Sequence, residues 1–385
     1  MTDSMKKTLF QLLIVTLFFT LFACSGDEIG DTHIPPEIED DEDKEDNDDL
    51  FMYEWEKNRD VPSPYNDMVL IYSGGSHRKY RWDEMLLKPY VTYTDRSGKE
   101  FWMFDSFLFL EIKTGDGRSF ASGYADGAAN QQDWKNLVDH YFQPDSCLGA
   151  LNKSIASAKA RLGEPMEKHK VLIGVPQPIQ YQVDWGSVKD NVKLDFSNLN
   201  DRIAACKWYI DYARKKFDES NFKNIELAGF YWVHEAAYGG TREIAPALSS
   251  YLNDLNYSFI WIPYNNAPGA FDWKQMNFNH VYYQPNYFFD DTKPLSVLHK
   301  ACEDAIKYGM DMEIEFDNRA LTQSGGWGYR LEDYLNAFKE YGISTNNRIA
   351  YYQGGTTLYS LSRAVVQEDE QLYHKFCKFV TERSQ

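Results

Sequence analysis

The chain has 385 residues, with 40 Lys and Arg against 58 Asp and Glu, a formal net charge of −18 and five cysteines. It shows no Lys/Arg stripe or basic block, so it lacks the cationic surface that displaces counterions from nucleic acid, and no nucleic-acid partner is expected. Beyond the N-terminal region about 320 residues remain, a length that fits one barrel-sized domain.

The chain opens with the basic stretch Met5-Lys6-Lys7, followed by an apolar run from Leu9 to Phe22 that ends Leu21-Phe22-Ala23-Cys24. Basic stretch, apolar run and small residue are the three parts of a secretory signal, and the run is shorter than the roughly 20 apolar residues of a membrane span. A cysteine directly after the small residue resembles the lipobox of bacterial lipoproteins. That resemblance implies a signal peptide over 1–23 and a membrane contact through a lipid on Cys24. From Ser25 to Asp49 thirteen acids face one lysine, Lys44, with Pro35-Pro36 and almost nothing apolar. Such a segment cannot bury enough surface to offset its ordering entropy, so 24–60 is expected to be a disordered acidic tether. It carries about −12 of the net charge and leaves the body mildly acidic. The run Ser25-Gly26-Asp27-Glu28 resembles the export signal of Gram-negative lipoproteins displayed on the outer cell surface. An outer-membrane, surface-exposed location is therefore expected, with a periplasmic spacer as the plainer alternative.

The body, 61–385, alternates short β-rich runs with helical stretches. Strands are predicted at Met68–Gly75, Phe101–Ile112, Lys170–Pro176, Asn224–Glu235, Tyr257–Asn265, His280–Tyr287, Asp311–Asp317 and Arg348–Gly354. Helical patterns are clearest at Ser197–Phe217, Thr241–Leu255, Leu295–Tyr308, Leu331–Tyr341 and Ala364–Glu382, and Gly309 and Gly342 stand where a left-handed cap favours glycine. Within Tyr90–Leu110 the turn Asp95-Arg96-Ser97-Gly98 predicts a hairpin on the way into the second barrel strand. Eight alternating units imply parallel pairing, and the fold class expected is α/β, a (β/α)8 TIM barrel. An open doubly wound sheet would show a glycine-rich phosphate loop after its first strand, which Ser73-Gly74-Gly75-Ser76 does not supply.

Cys147, Cys206, Cys302 and Cys377 lie far apart in segments that read as helices, and buried unpaired thiols are expected there. They lack metal-ligand spacing, the eight histidines form no cluster, and His234-Glu235 is not followed by a second histidine at helical spacing. No metal or cofactor is expected.

Chemistry in such a barrel sits at the C-terminal ends of the strands. Those ends bring carboxylates, amides and aromatics, the inventory that binds sugar hydroxyls and ring faces. On strand seven Asp311, Glu313, Glu315 and Asp317 share one parity and point into the barrel, where an ionised carboxylate is costly unless paired or used. Glu235 ends strand four. Two acids at the mouths of strands four and seven are similar to the clan of retaining barrel glycosidases, in which those ends hold the acid/base and the nucleophile. An asparagine commonly precedes the acid/base in that clan; His234 stands there instead. The segments Phe104-Asp105-Ser106-Phe107-Leu108-Phe109-Leu110, Gly229-Phe230-Tyr231-Trp232 with Glu235, and Tyr283-Gln284-Pro285-Asn286 resemble the family called domain of unknown function 4855, which implies a barrel and a glycan setting.

The expected function is a surface-anchored glycoside hydrolase of the retaining type, acting on a polysaccharide or oligosaccharide. Glu235 would be the general acid/base and Glu315 the nucleophile, with Asp317 the alternative nucleophile. Asp105, His234, Tyr264, Asn265, Tyr283, Gln284 and Asn286 are expected to shape the substrate subsites. The competing reading is a non-catalytic glycan-binding lipoprotein on an inactive barrel.

Overall fold

The structure, a computed structural model, describes residues 65–189 and 191–383. The expected signal peptide, the lipidation site at Cys24 and the acidic tether 24–60 lie outside the described residues.

Eight parallel strands close into a barrel: β1 (Asp67–Tyr72), β2 (Ser106–Leu110), β3 (His169–Val175), β4 (Ile225–Trp232), β5 (Ser258–Trp261), β6 (His280–Tyr283), β7 (Asp311–Glu315) and β8 (Ile349–Tyr352). Neighbours in the barrel are neighbours in sequence, and β8 closes on β1 with Met68 opposite Ala350. Around it lie helices α1 (Glu84–Val91), α2 (Gln131–Tyr141), α3 (Cys147–Leu162), α4 (Leu199–Ser220), α5 (Gly240–Asp254), α6 (Ser296–Tyr308), α7 (Gly328–Glu340) and α8 (Gln367–Arg383). Alternation along the strands splits the apolar residues into two cores. Met68, Leu70, Leu108, Leu110, Leu172, Ile260 and Tyr282 fill the barrel, while Val69, Phe107, Ile173, Phe259, Met312 and Ile314 pack against the helices. The helix ends follow local chemistry. Asn130 and Asp133 form a capping box on α2, and Gly309 and Gly342 take the left-handed conformation after α6 and α7. The four cysteines are buried and unpaired.

One predicted strand divides. Glu100–Trp102 pairs antiparallel with Thr92–Thr94 in the expected hairpin, and the barrel strand starts only at Ser106. Asp105 thus precedes β2 instead of lying within it.

Strand β4 carries a bulge. Val171 faces Leu227 but Leu172 faces Gly229, so Ala228 is an extra residue on β4. Ala228 and Tyr231 consequently both join the inner core at an odd spacing, and Val233 follows them. Glycine is required at 229, because a Cβ would overlap the Ser258 carbonyl oxygen on β5. Without the extra residue, alternation from Ala228 would turn His234 inward and Glu235 outward.

The N-terminal end of the barrel is closed by charge pairs. Lys170 on β3 is buried and binds Glu226 at 2.9 Å. Asp67 accepts hydrogen bonds from Arg383 Nε on α8 at 2.7 Å and from the Tyr351 hydroxyl at 2.5 Å.

Candidate active site

The C-terminal ends of the strands surround a cavity of about 360 Å³. Its acids are Glu235 in the loop after β4, Glu313 and Glu315 on β7, and Asp317 just beyond. Tyr72, Tyr352 and Phe289 form one wall, with Tyr352 edge-on to both of the others at 5.7 and 5.6 Å. Tyr124 and Tyr231 stand on the Glu235 side, and Leu70, Ile112 and Ile262 complete the apolar lining.

Glu315 is held by two donors on one oxygen. The Asn286 backbone N–H and the Tyr334 hydroxyl each reach Oε2 at 2.6 Å. Asn286 has φ +52, and its carbonyl accepts a hydrogen bond from Lys293 at 2.6 Å. Oε1 of Glu315 is buried with no hydrogen-bond partner, and the same is true of Oε1 of Glu313. Burial pushes the Glu315 carboxyl up to about 7, the Tyr334 and Asn286 donors pull it down, and the charge of Glu235 raises it. Glu313 is also raised well above the usual carboxylate range, by burial first and then by the charges of Glu315 and Glu235. Burial also raises Glu235, against the stabilising side chains of Gln284 and Tyr124. Mutual repulsion opposes full ionisation of the cluster.

Two arginines at the cavity are already engaged. Arg78 gives Nε and Nη2 to the buried Glu111 at 2.7 and 2.5 Å. Arg319 gives Nε and Nη2 to Asp317 at 3.0 and 2.7 Å, and Nη1 to the Phe289 carbonyl. Asp317 also caps the turn Asn318–Ala320 through the Arg319 N–H. The alternative nucleophile is therefore consumed by structure, whereas Glu235, Glu313 and Glu315 make no ion pair among the described residues.

Of the expected subsite residues, Gln284 lines the cavity, where its amide donates to the Ile262 carbonyl at 2.8 Å. The others do not. Asp105 lies at the opposite end, accepting from the backbone N–H groups of Asn66 and Asp67 at 2.7 and 3.0 Å. His234 is turned outward by the β4 alternation, with Nδ1 3.0 Å from the Thr241 hydroxyl and its carbonyl bonded to Trp261 Nε1 at 2.8 Å. Tyr283 belongs to the outer core; its hydroxyl donates to Asn265 Oδ1 and accepts from the Asn266 N–H, both at 2.8 Å. Asn265 is further tied to the Pro285 carbonyl, and Tyr264 packs against the outer core. Asn286 acts through its backbone on Glu315. Polar residues at a strand end face outward as often as inward, and only the local register separates the two. Glu313 was legible by parity, being one residue pair below Glu315. Tyr124, Arg78 and Arg319 come from loops whose sequence has no period to read.

No curated protein matches the chain. Among solved structures it is similar to a fungal β-1,4-galactanase, at 8% identity and TM-score 0.42 over 81% of this chain and 100% of that one. It is also similar to an intracellular xylanase from Thermoanaerobacterium saccharolyticum, at 10% identity and TM-score 0.37 over 78% and 90%. A tryptophan synthase alpha-subunit from Pyrococcus furiosus aligns at 9% identity and TM-score 0.36 over 82% and 99%. Proteins so different in chemistry share this fold, and the reaction is left to be read from the site itself. A family model does match the sequence over residues 67–378, and the chain belongs to that family, described as Domain of unknown function (DUF4855).

Proposed function

We propose that the protein is a glycoside hydrolase of the retaining type. The observation that carries this reading is the set of carboxyls, Glu235, Glu313 and Glu315, that face one aromatic-walled cavity without an ion pair among the described residues, with Oε1 of Glu313 and of Glu315 unpartnered. A buried charge left without a counter-charge is costly, so its retention argues for use. Glu235, whose carboxyl is raised by burial, would protonate the glycosidic oxygen. Glu315, with two donors fixing Oε2, would attack the anomeric carbon through its other oxygen. The C–O bond to the leaving sugar breaks as the glycosyl ester forms; Glu235 then takes a proton from water, whose oxygen displaces Glu315. Aromatic faces on both walls suit pyranose rings. Asp317 and Glu111 are spent on ion pairs with Arg319 and Arg78, whereas Glu235 and Glu315 form none among the described residues.

The test is reducing-sugar release by the purified protein across plant, host and microbial polysaccharides, with Glu235→Gln and Glu315→Gln alongside. Each substitution should lower the rate roughly 10²–10⁴-fold. Asp317→Asn should leave most of the activity, because its carboxylate serves Arg319. Release unchanged in either glutamine variant removes that residue from the mechanism; no release from any polymer, with one glycan still bound, makes the barrel a binder. The stereochemistry of the first-formed anomer, read by NMR, tests retention. The optimum should lie nearer pH 7 than pH 4, since Glu315 is pushed up to about 7.

We further propose that Cys24 carries a lipid that displays the barrel at the outer membrane. Cys24→Ser should move the protein out of the membrane fraction; unchanged fractionation would end the proposal.

A further inference from the structure

The cavity presents a charge problem that its own residues leave unsolved. Three carboxyls, Glu235, Glu313 and Glu315, converge on it, and no lysine or arginine pairs with any of them among the described residues. The two guanidiniums that line it are saturated, Arg78 by Glu111 and Arg319 by Asp317, and Lys293, whose charge eases Glu315 alone, gives its ammonium to the Asn286 carbonyl. Glu235 and Glu315 have tasks in the hydrolysis proposed above. Glu313 has none. Its side chain is 2% exposed and lies in the cavity wall, and no hydrogen bond reaches its Oε1. A carboxyl at such a place would ordinarily be paired, or replaced by an apolar residue of similar volume.

What the site lacks is a cation with several donors, small enough to enter beside a sugar ring. An ammonium group meets that description: it has three N–H donors to offer the carboxyls, and the walls that receive it are aromatic. We propose that the sugar unit held in this cavity carries a free amino group, and that Glu313 is the residue that recognises it. This rests on the glycoside hydrolase reading and gives its substrate class: a polymer of hexosamine units not acylated on nitrogen. An N-acetyl group at the same position would bring a carbonyl acceptor towards carboxyl oxygens and lose the charge that the site is built to meet. The ammonium would also relieve the repulsion that Glu235 and Glu315 exert on Glu313, favouring its ionised form.

Binding tests this without relying on turnover. Glucosamine, galactosamine, N-acetylglucosamine, glucose and ethanolamine are titrated into the purified protein by calorimetry at neutral pH and high salt, where screening removes general attraction to an acidic protein. One of the two amino sugars should bind about tenfold or more tighter than glucose and N-acetylglucosamine. Ethanolamine, an ammonium without a ring, should bind more weakly than that amino sugar; equal binding would overturn the sugar part of the proposal. In Glu313→Gln the preference should disappear. Should that variant not fold, wild-type titrations in two buffers of different ionisation heat give the answer. Amino-sugar binding should release protons because it ionises a protonated carboxyl, and glucose binding should release none. Equal affinity for glucose and both amino sugars, no binding of either amine sugar, a preference that survives Glu313→Gln, or equal proton release would each overturn it. Amino-sugar binding with no hydrolysis of any polymer would support this inference and sink the hydrolase reading. Hydrolysis of a neutral glycan with no amine preference would do the reverse.

Discussion

The two ends of the barrel use buried acids in opposite ways. At the N-terminal end Asp67 is paired with Arg383 and Tyr351, Glu226 with Lys170, and Asp105 with two backbone N–H groups. At the C-terminal end Glu235, Glu313 and Glu315 share a cavity and make no ion pair among the described residues; Oε1 of Glu313 and of Glu315 meets no donor, as Oδ2 of the paired Asp67 does not at the other end. The same residue types are held by an arginine, a lysine or backbone N–H groups where they tie the fold together, and stand without an ion pair among the described residues where a ligand would complete them. Neither burial nor one unbonded oxygen marks a functional acid; several carboxyls gathered on one cavity without ion pairs do.

The sharpest way to break this comparison is to neutralise one acid at each end. Glu315→Gln should cost catalysis roughly 10²–10⁴-fold while the melting temperature holds, since it removes a repelling charge and keeps an acceptor for Tyr334 and Asn286. A variant that unfolds would place Glu315 with the structural acids. Arg383→Ala at the other end should destabilise the fold by about 3–5 kcal/mol in denaturant titration, because it strands the wholly buried Asp67. A change within error would show that the closed end does not depend on this pair.

The contrast between what was legible and what was not follows the same division. Strand periodicity gave all eight barrel strands, because a parallel sheet buried on both faces writes its apolar runs plainly. Parity on β7 placed Glu313 and Glu315 inside. The β4 bulge left no periodic signature: Ala228-Gly229 reads as ordinary strand, and only the approach of Ser258 shows why glycine is there. Asp105 was misread because Phe101 to Ile112 looks like one continuous strand, while the chain turns from hairpin to barrel between Trp102 and Ser106. Which carboxyls lack partners could not be read at all, since Arg78 and Arg319 reach Glu111 and Asp317 through loop geometry.

Two smaller effects sharpen the comparison. Gly229→Ala should cost roughly 1–3 kcal/mol from the clash with Ser258, and should lower kcat more than KM by shifting the bulge that aims Glu235. Activity and stability both at wild-type levels would show that the bulge is not what sets Glu235. The smallest effect is a pH dependence at the closed end. Burial, then the charge of Asp67, pushes Asp105 up to about 6 from 3.8. The folded protein thus keeps a proton that the unfolded chain has already released. The resulting stability is fully present below 3.8 and is lost as pH rises through about 6. Asp105→Asn does not titrate, so the melting temperature of wild type minus variant should fall as pH is raised across that window. A difference that stays flat would contradict the raised value.

Arg383 has one more consequence. Besides Asp67 it bonds the carbonyls of Asn66 and Asn347, so the first and last described residues of the barrel lie side by side at the end away from the cavity. A short peptide could join them into a closed ring of backbone, and new ends could then be opened elsewhere as a circular permutant. Coupled to a bead or a resin through either end, the barrel would keep its mouth free.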